Sequence, residues 1–183
     1  MRIALLAAAA ALGLTACGSS PAPTPAAPQA SSTARQGVAN LASASGSLVS
    51  GRITLMPMSD GVHLTGEVGG LPANSTHGFH VHEKGDCSAA DASSAGPHFN
   101  PAGTAHGRAN AGAHHAGDMD NIVANAEGVA KVNVHVRGVT LGGGAANDIA
   151  NRALVVHASP DDYSSQPAGN AGARVACGVI AAQ

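Results

Sequence analysis

Short runs of β type, separated by turns rich in Gly, Asn and Asp, dominate this chain. The runs are residues 48–56, 62–68, 129–136, 153–157 and 174–180. Runs 62–68 and 129–136 alternate apolar and polar residues, which is typical of strands that bury one face. The segment 57–61, Pro-Met-Ser-Asp-Gly, predicts a hairpin turn, and no helical periodicity follows Asn40. The pattern therefore predicts an all-β domain, either an antiparallel sandwich or a barrel.

Two long stretches, residues 83–119 and 158–173, interrupt the predicted strands. Loops longer than about 12–15 residues in a compact domain are usually functional or disordered. The first stretch is rich in Gly, Ala and Asn, and it carries histidines that no hydrophobic period explains. We therefore expect functional loops.

The composition limits both the core and the partners. The only aromatic residues are Phe79, Phe99 and Tyr163, so the core must consist of Val, Leu, Ile and Ala. A core this thin for its chain length suggests an additional stabilising link. The formal net charge of −2 gives no basic face, and we expect no binding to nucleic acid.

The N-terminus predicts export. Residues 3–16 are apolar or small, too few to span a bilayer, which takes about 20, but suited to a signal peptide. The segment ends in Leu-Thr-Ala-Cys17-Gly, which resembles a bacterial lipoprotein signal in which Cys17 is lipidated. An ordinary secretory signal with an incidental cysteine is the alternative. Residues 17–39 are rich in Pro, Ala and Ser and read as a tether. The predicted division is signal peptide 1–16, lipidated tether 17–39 and folded domain 40–183.

Two cysteines, Cys87 and Cys177, remain in the predicted domain. An even pair in an exported protein is most simply a disulfide, and two free thiols are the alternative. In the chain-entropy account a link across so long a loop contributes up to about 4–5 kcal/mol. The pair is thus a candidate for the additional stabilising link.

The histidines indicate a metal site. His80 and His82 lie two apart in "GFHVH" and share a face if this run is a strand. Two such imidazoles form half of a copper or zinc site, although this motif alone is often incidental. Further candidate ligands are His98, His106, His115, Asp118 and His157. Together these residues are difficult to explain as core filling.

The motifs "GFHVHEKGDCS", "SAGPHFNP", "HHAGDMDNI", "LVVHASPDDY" and "GNAGARVACGVI" resemble those of copper/zinc superoxide dismutases, in the same order and at fitting intervals. The resemblance extends from about residue 40 to the C-terminus. It implies a Greek-key antiparallel β-sandwich, or flattened eight-stranded barrel, with two long functional loops. It also implies dismutation of superoxide to oxygen and hydrogen peroxide.

The resemblance implies one copper and one zinc ion per subunit. The implied copper ligands are His80, His82, His98 and His157. The implied zinc ligands are His98, His106, His115 and Asp118. His98 would bridge the two ions and carry a proton to the product. Arg174 would dock superoxide beside the copper, and Cys87 and Cys177 match the family's disulfide pair. Asp161 would accept hydrogen bonds from one histidine of each site, His80 and His106.

Neighbouring residues leave some positions open. His114 is an alternative to His115, and the three-residue step to Asp118 favours His115. Asp162 is an alternative to Asp161, and the spacing from His157 favours Asp161. Of the remaining histidines, His77 is predicted to be structural. His63 and His135 are predicted to face solvent.

One departure concerns the attraction of superoxide. Residues 163–169 carry no Lys or Glu, whereas many family members place guiding charges there. We therefore expect weaker steering, with Arg174 acting alone or with Lys84 and Lys131.

Two other functions remain possible at this stage. The chain could be a periplasmic copper or zinc buffer on the same fold, or a structural domain with relic motifs. We expect a periplasmic, lipid-anchored enzyme, monomeric or homodimeric, that touches the membrane only through its N-terminal anchor and protects the cell envelope.

Overall fold

The computed structural model describes residues 31–183 and confirms the all-β prediction. Its strands are β1 Gly37–Ser43, β2 Ser50–Met58, β3 Gly61–Gly69, β4 Thr76–His77, β5 Phe79–His82, β6 Ile122–Val123, β7 Ala130–Arg137, β8 Ala153–His157 and β9 Arg174–Ala182. The helical content of this range is one 3-10 turn, Ser93–Ala95. Within it, no helix has the length and apolar character needed to cross a membrane. The predicted signal peptide and Cys17 lie outside the described residues.

The strand pairings run around a flattened barrel. Seven strands pair in the order β5-β8-β9-β1-β2-β3-β7, and β4 pairs with β6. Only Gly78 separates β4 from β5, and a bridge between Ala124 and Ala130 links the end of β6 to β7. With β4 and β5 counted as one interrupted strand, eight strands close the circuit. β3 pairs with β7 rather than with β4, which is a Greek-key connection.

The predicted runs correspond to strands, and run 153–157 has the predicted ends. The other four runs differ from their strands by one or two residues at one or both ends. The hairpin turn falls at Ser59 and Asp60, between β2 and β3. β2 begins and ends two residues later than the predicted run 48–56, and Leu48 is exposed. β1 begins at Gly37 and includes three residues that the sequence analysis placed in the tether. This strand pairs with both β2 and β9, so residues 37–39 are part of the barrel.

The core is aliphatic, as the composition required. Ile53, Leu55, Leu64, Leu154 and Ile180 are among its fully buried side chains, and the two phenylalanines pack in the same cluster. The alternation of β2 and β3 directs Ile53, Leu55 and Leu64 inward. The opposite face of the two strands therefore lies at the surface.

The predicted disulfide joins Cys87 to Cys177. It lies in a second, smaller apolar cluster with Ala92, Ala95 and Val155. Cys177 is in β9, and Cys87 is in the first long loop. The bond thus attaches that loop to the strand that begins with Arg174.

The first long loop returns along the free edge of β5. Val81 donates its N–H to the carbonyl of Gly117 (2.9 Å), and its own carbonyl accepts from the N–H of Phe99 (2.8 Å). Gly117 also donates to the carbonyl of Phe99 (2.9 Å). These bonds bring two distant parts of the loop beside the histidines of β5.

Candidate metal centre

The first cluster forms where β5 and β8 meet. His80 and His82 project from the same face of β5, as the two-residue period predicts. β8 runs antiparallel beside β5 and ends at His157, and His98 forms a bridge with His82 from the loop side. One nitrogen from each of the four histidines lies within 4.8 Å of every other, and all four side chains are buried.

The second cluster shares one residue with the first. It combines His98, His106, His115 and Asp118, again with ligand atoms within 4.8 Å of one another and all four side chains buried. The N–H of Asp118 donates to the carbonyl of His115 (3.1 Å), and the N–H of His115 donates to Asp118 Oδ2 (2.8 Å). This turn explains the three-residue spacing between His115 and Asp118. His114 instead donates from Nδ1 to the carbonyl of Gly112 and lies outside the cluster.

Backbone carbonyls orient two rings of the first cluster. His82 donates from Nδ1 to the carbonyl of Gly96 (2.8 Å), and His157 donates from Nδ1 to that of Gly172 (3.3 Å). With the protons on Nδ1, both Nε2 atoms carry lone pairs, yet they lie only 3.3 Å apart. Two facing lone pairs do not form a hydrogen bond. A cation between them would make this arrangement favourable.

Asp161 connects the two clusters. His80 donates from Nε2 to Oδ2 (2.8 Å), and His106 donates from Nε2 to Oδ1 (3.0 Å). The backbone N–H of Tyr163 also donates to Oδ1 (2.7 Å). A carboxylate that accepts from a histidine fixes the tautomer and leaves the other ring nitrogen free to bind metal. Asp162 faces outward and accepts instead from Ser164 and Ser165.

Unpaired atoms test whether metals fit these clusters. Within residues 31–183, four buried ring nitrogens have no hydrogen-bond partner: His80 Nδ1, His98 Nε2, His106 Nδ1 and His115 Nδ1. Buried polar atoms are nearly always paired, so four in one place need an explanation. His106 Nδ1 also faces Asp118 Oδ2 at 3.0 Å, a lone pair against a carboxylate. Four nitrogens suit copper, and three nitrogens with one carboxylate oxygen suit a closed zinc site.

Burial favours the neutral form of His80 and His157, the form that binds metal. It lowers the pKa of His80 to about 4, although the hydrogen bond to Asp161 opposes this shift. It also lowers the pKa of His157 to about 3, with nearby His80 adding to the effect. For Asp118 burial alone would raise the pKa, but hydrogen bonds from His98 and from backbone N–H groups outweigh it and lower the pKa.

Arg174 lies at the mouth of the first cluster. It begins β9, and its register partner is His157, the last residue of β8. Its guanidinium donates to the carbonyls of Ala92 and Gly96, both at 2.7 Å. Both carbonyls belong to the loop that the disulfide attaches to β9. The charge therefore has a fixed position, half-buried beside His157.

A cavity of about 700 Å³ opens onto the first cluster. His82, His98, His157 and Arg174 line it together with Arg152. The guanidinium of Arg152 lies over the ring of Phe99 and donates to the carbonyl of Glu83 (2.6 Å). The residues that line this cavity do not include Lys84 or Lys131. The second cation of the entrance is thus Arg152, which the sequence analysis did not consider.

The second long loop holds His106 through a side chain that the sequence analysis missed. Gln166 accepts from the backbone N–H of His106 and donates to its carbonyl, both at 2.9 Å. Asn121 holds Asp161 in the same way, accepting from its N–H and donating to its carbonyl, also at 2.9 Å. Gly169, at φ +64°, leaves the space that the Asp161 carboxylate occupies. An amide side chain or a glycine in a loop gives no sequence signal for such a contact.

One structural residue was predicted from sequence. His77 donates from Nδ1 to the carbonyl of His157 (2.8 Å) and pairs through Nε2 with Ser75. This contact supports the end of β8, and His77 lies outside both clusters, in agreement with its predicted structural role.

The barrel and the paired clusters define a class of protein: an antiparallel β-barrel with adjoining sites of copper and zinc type. Comparison with known proteins agrees. Residues 49–180 match the family described as copper/zinc superoxide dismutase. A Cu-Zn superoxide dismutase of Aquifex aeolicus (strain VF5) is 45% identical over 135 residues, covering 72% of this chain and 79% of the relative. One from Arabidopsis thaliana is 42% identical over 132 residues, covering 69% and 78%.

Solved structures show the same fold. The clock protein EA4 has a TM-score of 0.73 and 37% identity, covering 86% of this chain and 100% of that chain. A double mutant of a superoxide-dismutase-like protein from Bacillus subtilis has a TM-score of 0.72 and 35% identity, covering 79% and 96%. The chain belongs to the copper/zinc superoxide dismutase family. The family predicted from the sequence motifs is thereby confirmed, and copper and zinc are its cofactors.

Proposed function

We propose that this chain dismutates superoxide with copper in the first cluster and zinc in the second. In this reaction two superoxide ions and two protons give oxygen and hydrogen peroxide. The observation that carries the proposal is the set of unpaired ring nitrogens, His80 Nδ1, His98 Nε2, His106 Nδ1 and His115 Nδ1, in a chain of this family. Copper supplies the redox chemistry when bound, because zinc has none.

The residues of the site have separate roles in this reaction. Arg174 receives the anion through charge-assisted hydrogen bonds at the cavity mouth. His98 belongs to both clusters, and its Nε2 faces the first; we assign to this atom the proton that the peroxide product requires. Asp118 and the remaining zinc ligands hold the opposite side of the His98 ring. Asp161 keeps His80 and His106 in the tautomers that expose Nδ1.

A metal store on the same fold is the less favoured function. Storage needs ligands, but it needs neither a fixed guanidinium beside them nor an open cavity. Arg174 is held by two carbonyls at 2.7 Å and lines the cavity with His98. These contacts support an anionic substrate.

The full chain, loaded with copper and zinc, provides the test. Superoxide decay measured by pulse radiolysis should exceed that of free copper at equal concentration. Arg174→Met should retain both metals and lose most of the rate. If the loaded chain binds both metals but gives no decay above free copper, the storage function is correct.

The location is a further part of the proposal. The disulfide fits an exported protein, because disulfides persist in oxidising compartments. We propose signal peptide 1–16, lipidated Cys17, a tether that ends before β1 begins at Gly37, and a folded domain from there to residue 183, with the enzyme held at the envelope in the periplasm. A Cys17→Ser variant should release activity from the membrane fraction and lose incorporation of labelled fatty acid. Sedimentation of the domain would distinguish a monomer from a homodimer.

A further inference from the structure

The outer face of strands β2, β3 and β7 arranges its side chains in chemically distinct rows. The register aligns Arg52, Glu67 and Lys131 in one row, Thr54, Thr65 and Asn133 in the next, and Met56, His63 and His135 in a third. The third row, here called the soft-ligand row, contains one thioether and two imidazoles. It lies on the outside of the barrel and shares no residue with the buried clusters.

The two imidazoles of the soft-ligand row are suitably placed to share one ion. His63 and His135 are direct cross-strand partners, and their ring centres lie 6.1 Å apart. For comparison, the rings of His80 and His82, which meet in the first buried cluster, have centres 6.5 Å apart. Side chains directly opposite in an antiparallel pair start from Cβ atoms only about 4.5–5.5 Å apart. Two rings that are only half-buried can turn toward each other from this distance.

A carboxylate already orients one of these rings. His135 donates from Nε2 to Asp60 Oδ1 (2.9 Å), in the hairpin turn between β2 and β3. The proton on Nε2 leaves a lone pair on Nδ1, the same arrangement that Asp161 imposes on His80. Arg137 pairs with the other oxygen of Asp60, so this carboxylate is already neutralised. The available donors are therefore imidazole nitrogens and a thioether.

The methionines indicate which metal this donor set suits. Met56 and Met58 are 43% and 55% exposed, whereas Met119 is buried in the core. Both exposed methionines of the described residues thus lie on β2, and Met56 is directly opposite His63. Thioether and imidazole donors favour copper over magnesium, calcium and manganese, and copper leads the divalent series for nitrogen ligands.

We propose that the soft-ligand row, with Asp60 orienting His135, is a third metal site that holds a copper ion on the barrel surface. His63 and His135 bind Cu(II), and the Met56 thioether joins them for Cu(I). The site goes beyond the proposed function, because the two buried clusters are complete without it. It gives the chain a place to hold copper outside the cavity.

The test begins with the full chain already carrying one copper and one zinc ion. Equilibrium dialysis against Cu(II) chloride should then show one additional copper per chain, with an electron paramagnetic resonance spectrum distinct from that of the buried copper. His63→Gln and His135→Gln should each abolish the additional copper. Asp60→Asn should weaken it on the order of tenfold, as expected for the partner of a ligand. His114→Gln, which removes a histidine elsewhere on the surface, should leave it unchanged.

A second arm uses Cu(I) held by a competing chelator. Met56→Ile should weaken binding of Cu(I) while leaving Cu(II) unchanged. All these variants change surface positions, so the dismutase rate of the buried sites serves as the check on folding. The proposal is overturned if no additional copper binds, if the combined His63→Gln and His135→Gln variant keeps it, or if Zn(II) binds the row as tightly as Cu(II).

Discussion

Replacing Asp161 by asparagine tests how the two clusters are coupled. The side chain is 2% exposed and accepts from three donors: His80 Nε2, His106 Nε2 and the N–H of Tyr163. Asparagine keeps the shape but has only one acceptor oxygen. At least one of the two histidines then faces an NH2 group, donor against donor. That ring must move its proton to Nδ1, which is the nitrogen that the metal needs.

The size of the effect follows from this tautomer change. Loss of an outer partner of a metal-binding histidine typically weakens metal affinity or activity about 10- to 100-fold. In free energy this is about 1.4–2.7 kcal/mol. We expect Asp161→Asn to weaken copper or zinc binding by this amount. The ligands themselves are unchanged, so the site should still fill at high metal concentration.

Competition against chelators of known affinity measures each metal separately. Asp162→Asn is the matched control, because Asp162 is exposed and contacts only its own loop, through Ser164, Ser165 and Asn170. It should leave both affinities unchanged. If the affinities of the Asp161→Asn variant for both metals are within twofold of those of the unaltered chain, tautomer control by Asp161 is refuted. If the Asp162 variant shows the loss instead, the assignment between the two aspartates is wrong.

Three further predictions concern the entrance, the metal-free state and the second loop. Arg174→Lys keeps the charge but cannot donate to both carbonyl partners while docking superoxide, so kcat/KM should fall about 10- to 100-fold at unchanged metal content; an unchanged rate contradicts this. The lowered pKa of His80, about 4 against 6.5 when unfolded, means that the unfolded state binds its proton first as pH falls. Metal-free protein should therefore lose at least about 3 kcal/mol between pH 6.5 and pH 4, because His157, whose pKa is also lowered, adds to the loss from His80. Urea unfolding measures this loss, and equal stability at both pH values contradicts it. Gly169→Ala places a methyl group on the Asp161 carboxylate and should weaken metal binding as Asp161→Asn does. Gly103→Ala is the control, because Gly103 has a similar φ of +65° with open space around it, and it should leave metal binding unchanged.

The strands could be predicted because their signal is local. The period of two in residues 62–68 and 129–136 directs alternate side chains to one face whatever the rest of the chain does. The same rule placed His80 and His82 together. β1 was not predicted because the composition of its residues resembles that of the tether before it. Gly37–Ser43 is a strand because it pairs with β2 and β9.

Contacts between distant segments had no such signal. Gln166 holds the backbone of His106 across 60 residues, and Arg152 enters the cavity from the connection between β7 and β8. Lys84 and Lys131 were steering candidates because of their charge, and neither lines the cavity. Charge in a sequence does not show which cations line a cavity, so only the fold could identify Arg152.

The all-β class, the family and the order of the candidate metal ligands can be read from the residues alone, because these depend on periods and motifs along the chain. How the rings are used depends on the folded structure. It placed His98 between the clusters, gave His80 and His106 a common acceptor in Asp161, and set Arg174 opposite His157. It also aligned His63 with His135 on the outer face. These are relations between atoms brought together by pairing and loop closure, and no local rule of sequence specifies them.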